Sequence, residues 1–160
     1  MQNRSISPQE IEEKNALARA ASLCSQREYC VSQIEEKLVA WGQSAEACER
    51  IISRLIEERF IDEARFARAY ALDKMRYNHW GHVKIRQMLR MLGISNTDRE
   101  AALNELPDDE YQAILFRLAE QKLPSIKARN DYELRGKLLR FLSGRGFELD
   151  EAASVIDEIG

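Results

Sequence analysis

The sequence predicts an all-α chain: three tandem three-helix, helix-turn-helix-like repeats in an elongated, curved arrangement. Three observations carry that expectation. Gly42, Gly93 and Gly146 recur at intervals of 51 and then 53 residues. The same aliphatic frame surrounds each. Ile34, Ile85 and Leu138 stand eight residues before the glycine, and Leu38, Leu89 and Leu142 stand four before. Ile52, Leu103 and Ile156 follow ten after it, and Leu55, Leu106 and Ile159 thirteen after. These spacings are helical, so each glycine reads as the break between two amphipathic helices. Finally, only three prolines and seven glycines interrupt 160 residues, which favours helix throughout.

The first unit, residues 1–61 with an N-terminal extension, opens at Ser7-Pro8-Gln9-Glu10. Serine can cap, proline suits the first helical position, and Glu10 can complete a capping box. That helix is expected to reach about Cys24. A second runs from about Val31 to Trp41, and a third from Ala45 to Glu58 behind Ser44 as N-cap. The second unit, 62–107, opens at Asp62, with Phe66 and Tyr70 on one face. Its second helix follows Gly81 and its third follows Ser95. Pro107 marks a joint before the third unit, 108–160. Pro124-Ser125 ends or bends that unit's first helix around Leu123. Asp131 is the expected cap of the next helix, about one turn longer than its counterparts, and the last spans about Leu149 to Ile159. No strands are expected.

A 50-residue unit buries too little apolar surface to stand securely alone, so neighbouring units should pack on one another or adjust on meeting a partner. No run of apolar residues is long enough to span a membrane. The polar segment Met1 to Glu13 lacks the apolar core of a signal peptide. Cys24, Cys30 and Cys48 are odd in number and show no CxxC pairing, as expected of free thiols in a reducing cytoplasm.

Charge is distributed in blocks. The net charge of −3 by itself argues against strong nucleic-acid affinity. From Ala64 to Thr97, however, seven basic residues face one acid, Asp73. These seven, Arg65, Arg68, Lys74, Arg76, Lys84, Arg86 and Arg90, are the primary binding candidates. Arg135, Lys137, Arg140 and Arg145 form a secondary basic set. Residues 1–63, 98–119 and 146–160 are each net acidic. Lys84, Arg86 and Arg90 are expected to share much of one helical surface opposite Ile85 and Leu89. Such a surface can meet phosphates or a partner's carboxylates. A solvated helix face is the bland alternative.

Tyr77-Asn78-His79-Trp80 lies between two helices. It reads as a packing wedge in preference to a base-stacking platform. His79 and His82 lack cysteines or carboxylates at metal-ligand spacing, so no metal site is expected. Nothing resembles a Gly-rich phosphate loop, a GxSxG or an HExxH. Catalytic and cofactor-binding residues are therefore expected to be none, and so is a small-molecule substrate.

The segment Phe60-Ile61-Asp62-Glu63-Ala64-Arg65-Phe66-Ala67-Arg68-Ala69-Tyr70 resembles the signature of the RecX family of bacterial recombinase regulators. Gly81-His82-Val83-Lys84-Ile85-Arg86-Gln87-Met88-Leu89 with Leu92-Gly93-Ile94 is similar to the family's second stretch, a glycine followed by a basic helix and a helix-ending glycine. Ile34 to Leu38 and Lys137 to Leu142, the latter with Arg145-Gly146-Phe147, are similar to its flanking repeats. Departures fall at helix starts: Cys30, where a capping serine is usual, and Glu148, where another polar cap is expected. The resemblance implies a non-catalytic protein that binds the RecA recombinase and its filament on single-stranded DNA. It further implies limits on filament growth or stability, and so on recombination and the SOS response, with weak direct nucleic-acid binding. A helix-turn-helix-like DNA-binding module and a purely protein-binding helical scaffold stay open as alternatives.

Overall fold

The computed structural model describes residues 5–159, so the part of the Met1 to Glu13 reading that falls on Met1–Arg4 lies outside the described residues. Nine α-helices and no strand are found among those residues. They are α1 (Pro8–Gln26), α2 (Val31–Ala40), α3 (Ala45–Glu57), α4 (Glu63–Asp73), α5 (His82–Met91), α6 (Asn96–Asn104), α7 (Asp108–Lys122), α8 (Asp131–Gly144) and α9 (Leu149–Ile159). A π-helical turn, Lys74–Asn78, follows α4, and a 3-10 turn, Leu123–Ser125, follows α7 where Pro124 ends the helix.

Side-chain caps set most of the helix starts. Ser7, Ser44 and Ser95 each accept an N–H from the third residue of the helix that follows. Asp62 Oδ1 accepts from Arg65 N at 3.0 Å in the same manner. At Cys30 and Glu148 the support is reversed: Gln33 Oε1 and Glu151 Oε1 accept the N–H of the residue before the helix, both at 3.2 Å. One cap differs from expectation. Asn130, not Asp131, has the extended backbone and accepts from Glu133 N at 2.8 Å. Asp131 is already helical, where its charge suits the positive end of the helix.

The aliphatic frame forms the core. Ile34, Leu38, Ile85, Leu89, Leu138 and Leu142 are all 1% exposed or less. Beyond the glycines, Leu55, Leu103, Leu106 and Ile156 are buried, whereas Ile52 and Ile159 are half-buried. Gly42, Gly93 and Gly146 adopt φ of 87°, 82° and 96°, the left-handed backbone that glycine accepts without strain. Gln43 N and Phe147 N reach back to Leu38 and Leu142 carbonyls at 3.0 and 3.2 Å, which closes two of these helix ends in the Schellman manner.

The chain divides into two compact units, Met1–Phe66 with Leu92–Ile94, and Ala67–Met91 with Ser95–Gly160. In the first, α1, α2 and α3 pack around Ala20, Ile34, Leu38, Ile51, Leu55 and Ile61. Its glycine turn Leu92–Ile94 touches the start of α2, where Ser32 Oγ donates to Leu92 O at 2.7 Å. In the second unit, α5 pairs with α6, while α7, α8 and α9 pack mutually. The start of α5 meets the glycine turn Arg145–Phe147. Gly81 N donates to Arg145 O and Val83 N to Gly146 O, each at 2.9 Å. The backbones approach so closely that a Cβ on Gly81 would lie 2.5 Å from Gly146 C, and one on Gly146 would lie 2.3 Å from Lys84 Cβ.

These geometries separate glycines that look alike in the repeat. Around Gly42 an added Cβ meets nothing within 4 Å, so Gly42→Ala should cost only the left-handed backbone penalty of about 1–2 kcal/mol. Gly146→Ala adds the clash with Lys84 and should cost about 2–5 kcal/mol. Urea unfolding of both variants checks this, and equal losses would show that the Gly81–Gly146 approach is not as tight as described.

Candidate functional site

Helix α5 carries three of the seven primary cations and its placement is set by borrowed caps. Besides the carbonyls of Arg145 and Gly146, the Tyr111 hydroxyl accepts from His82 N at 3.1 Å. Tyr111 is 1% exposed and stacks on the His82 ring, with centroids 4.0 Å apart and planes 10° apart. Its hydroxyl donates to Glu151 Oε1 at 3.3 Å. Burial holds the Tyr111 phenol protonated, pushing its pKa well above the ordinary value. The start of α5 is thereby tied to α7, α9 and the last glycine turn.

Six of the seven cations are engaged by carboxylates or aromatic rings. Arg65 Nε pairs with Glu28 at 2.6 Å, Arg76 with Glu110 at 2.8 Å, and Arg86 with Glu100 at 2.7 Å. Arg68 lies 3.5 Å from Glu105. Lys74 and Lys84 both place their ammonium groups over Trp80, at 5.1 and 4.7 Å from the ring centroid. Lys74 also lies 5.3 Å from the Tyr70 ring. Arg90 is exposed and has no ion pair among those of the described residues.

The expectation that Lys84, Arg86 and Arg90 share much of one surface is met only for Arg86 and Arg90. Residues two apart on a helix are separated by about 200°, so Lys84 and Arg86 flank the buried stripe on opposite sides. Lys84 turns to Trp80 and Arg86 turns to Glu100 on α6. The aromatic cluster divides as well. Trp80 is half-buried and wedged between cations, whereas Tyr77 is 78% exposed. Tyr77 belongs to the π turn, whereas Trp80 follows it, beyond His79, which takes a left-handed φ of 57° at the end of the turn.

The secondary set sits on and after α8. Arg135 pairs with Asp157, and Lys137 with Glu133 at 3.2 Å. Arg140 is exposed, and Arg145 holds its guanidinium carbon 5.9 Å from the Phe141 centroid.

One grouping was invisible in the sequence. His82, Glu148 and Glu151 bring potential ligand atoms within 4.8 Å of one another. No local spacing announces it, because the histidine and the glutamates lie far apart along the chain. Glu151 Oε1 already accepts from Glu148 N and from Tyr111. The three groups also lie where the N-terminal end of α9 favours anions over cations. The Glu151 hydrogen bonds and the Tyr111–His82 stack make the grouping a polar clamp on α5.

The fold and this surface define a class, a tandem helical-repeat protein whose basic residues lie on helix faces and in open grooves. Residues 62–103 match the family model described as RecX, second three-helix domain, and residues 108–156 match RecX, third three-helix domain. "Regulatory protein RecX" of Pelodictyon phaeoclathratiforme is 30% identical over 88% of this chain and 86% of its own length. That of Prosthecochloris aestuarii is 30% identical over 91% and 94%. The chain spans only 58% of the longer Leuconostoc mesenteroides relative, at 25% identity over 94% of this chain. The crystal structure of RecX from Lactobacillus salivarius shares the fold, with a TM-score of 0.81 at 22% identity, covering 92% of this chain and 96% of that one. Another crystal structure of regulatory protein RecX gives 0.83 at 21% identity, over 98% and 81%. The chain belongs to the RecX family of regulatory proteins. Among the described residues, no helix is long and apolar enough to cross a membrane.

The clamp has a pH signature. Burial pushes the His82 pKa below its ordinary 6.5, against the pull of Glu151, Glu148 and Asp108 and with the push of Arg86. Between the folded value and 6.5 the unfolded chain binds more protons, so stability rises with pH across that window. Thermal melts should therefore fall as pH drops below about 6.5, before the carboxylates titrate, and His82→Phe should flatten the slope there. The same slope in both proteins would exclude His82 as its source.

Proposed function

We propose that this chain binds the RecA recombinase and its filament on single-stranded DNA, limiting filament growth or stability and so restraining recombination and the SOS response. The reading supposes three units, 1–61, 62–107 and 108–160, acting in the bacterial cytoplasm without catalysis or cofactor. Family membership supports it, because the resemblance that identifies the family implies that partner. The observation that carries the geometric part is the cationic cluster at the start of α5. Lys74 and Lys84 lie over one indole ring, with Tyr77 exposed nearby in the chain and Arg90 exposed further along α5. Ammonium groups held in this way can meet phosphates, and an exposed tyrosine can stack on an unpaired base.

The ion pairs favour a second reading, a helical scaffold that binds protein alone. Four of the seven primary cations already face carboxylates, and such pairs dilute the field that a nucleic acid would sense.

One assay separates the two. Purified protein should slow DNA-dependent ATP hydrolysis by RecA at comparable or lower molar ratios. Replacing Lys74, Lys84 and Arg90 together with alanine should weaken that inhibition and lower the salt dependence of binding to the filament. The slope should change by about 0.7–0.9 for each phosphate that is no longer neutralised. Arg86→Ala alone should do less, because its guanidinium is engaged by Glu100. An unchanged slope with retained inhibition selects the protein-only scaffold; no effect on RecA turnover removes the proposal.

A further inference from the structure

The three repeats differ most informatively seven residues before and seven after their glycines. In the first these positions are Glu35 and Glu49, both exposed, and in the second they are the ion-paired Arg86 and Glu100. In the third they are Leu139 and Ala153, both half-exposed. Where its siblings present charge to water, the third repeat presents an apolar floor between α8 and α9. An open groove of about 670 Å³ lies there, floored also by Ile156 and Gly136.

Gly136 strengthens the case. A glycine inside a helix costs about 0.8–1 kcal/mol relative to alanine. Nothing in the chain's packing requires it, since an added Cβ would meet only Arg140 Nη1, at 3.9 Å. Its effect is to keep the groove open. Arg129, Arg135, Lys137 and Arg140 line the groove; Arg129 and Lys137 share Glu133, Arg135 pairs with Asp157, and Arg140 is exposed with no ion pair among those of the described residues, so the cations still outnumber the carboxylates that meet them. Tyr132, 88% exposed, also lines it.

From this arrangement we infer that the α8–α9 groove docks an acidic amphipathic helix of a partner protein. An apolar floor accepts side chains spaced one helical turn apart, and a cationic rim selects carboxylates beside them. A phosphate backbone matches the rim but would leave Leu139 and Ala153 facing charge. The inference is independent of the cluster on α5, so it can fail while inhibition of RecA persists, and the reverse.

The test uses the full chain and a fluorescent synthetic peptide of about four helical turns, with leucines along one face and glutamates elsewhere. Its partners are a control peptide with lysine in place of glutamate and an oligo-dT strand. The acidic peptide should bind, the lysine version should not, and oligo-dT should not displace the peptide. Gly136→Leu fills the groove where there is room for it and should weaken binding at least about tenfold without lowering the melting temperature. Arg140→Glu, a surface change, should weaken it as well. Absent binding, binding indifferent to both substitutions, or equal binding of the lysine peptide overturns the inference. It is likewise overturned if Gly136→Leu abolishes oligo-dT binding or self-association instead, since the groove then belongs to nucleic acid or to a second copy.

Discussion

The close approach of Gly81 to Gly146 fixes where α5 begins in the second unit and what it packs against. Neither position has room for a side chain, and the contact lets carbonyls of one helix end receive the first N–H groups of another helix. Helix α5 thus starts without a side-chain cap of its own. Its unsatisfied donors, which would otherwise need water or a local hydroxyl, are met by Arg145, Gly146 and Tyr111. The first unit uses the same device in weaker form. There the Leu92 carbonyl takes the Ser32 hydroxyl, and Val31 N finds Glu63 Oε2 at 3.3 Å. A helix held through backbone contacts keeps its direction even when its surface residues change, so the outer face is free to diverge.

That division explains what was legible in the sequence. The core frame repeats because each of its positions answers to a local rule, helical spacing before and after a left-handed glycine. Helix number and most helix ends followed from it. Gly81 was readable as the residue before a helix, but its steric reason depends on Gly146, far along the chain. The cap at Asn130 was missed by one residue because asparagine and aspartate cap about equally well and they stand side by side. The π turn after α4 left no signature, since its residues Lys74 to Asn78 carry ordinary helical side chains.

The basic surface was legible as composition and not as geometry. Block counting found a stretch of seven cations and one acid, yet the carboxylates that meet them are distant in sequence. Glu28 precedes Arg65 by 37 residues and Glu110 follows Arg76 by 34. Helical phase can say which side chains point outward. It cannot say which residues of other helices wait there. The acidic blocks that flank the basic stretch are therefore partly its own counterions, and the near-neutral net charge reflects local pairing as much as separated regions.

Pairing does not disqualify these arginines from binding a partner. No charged side chain is fully buried among the described residues, and both members of the Arg68–Glu105, Arg76–Glu110 and Arg86–Glu100 pairs keep about a third or more of their exposure. Pairs so exposed contribute little, because water competes for both charges. Exchanging an exposed glutamate for a phosphate or for a partner's carboxylate therefore sacrifices little, while the released glutamate is rehydrated. Cations so weakly held by their own carboxylates stay open to exchange with solvent ions. What the fold contributes is spacing: the backbone clamp fixes where α5 begins, and with it the positions along the helix from which Lys84, Arg86 and Arg90 project.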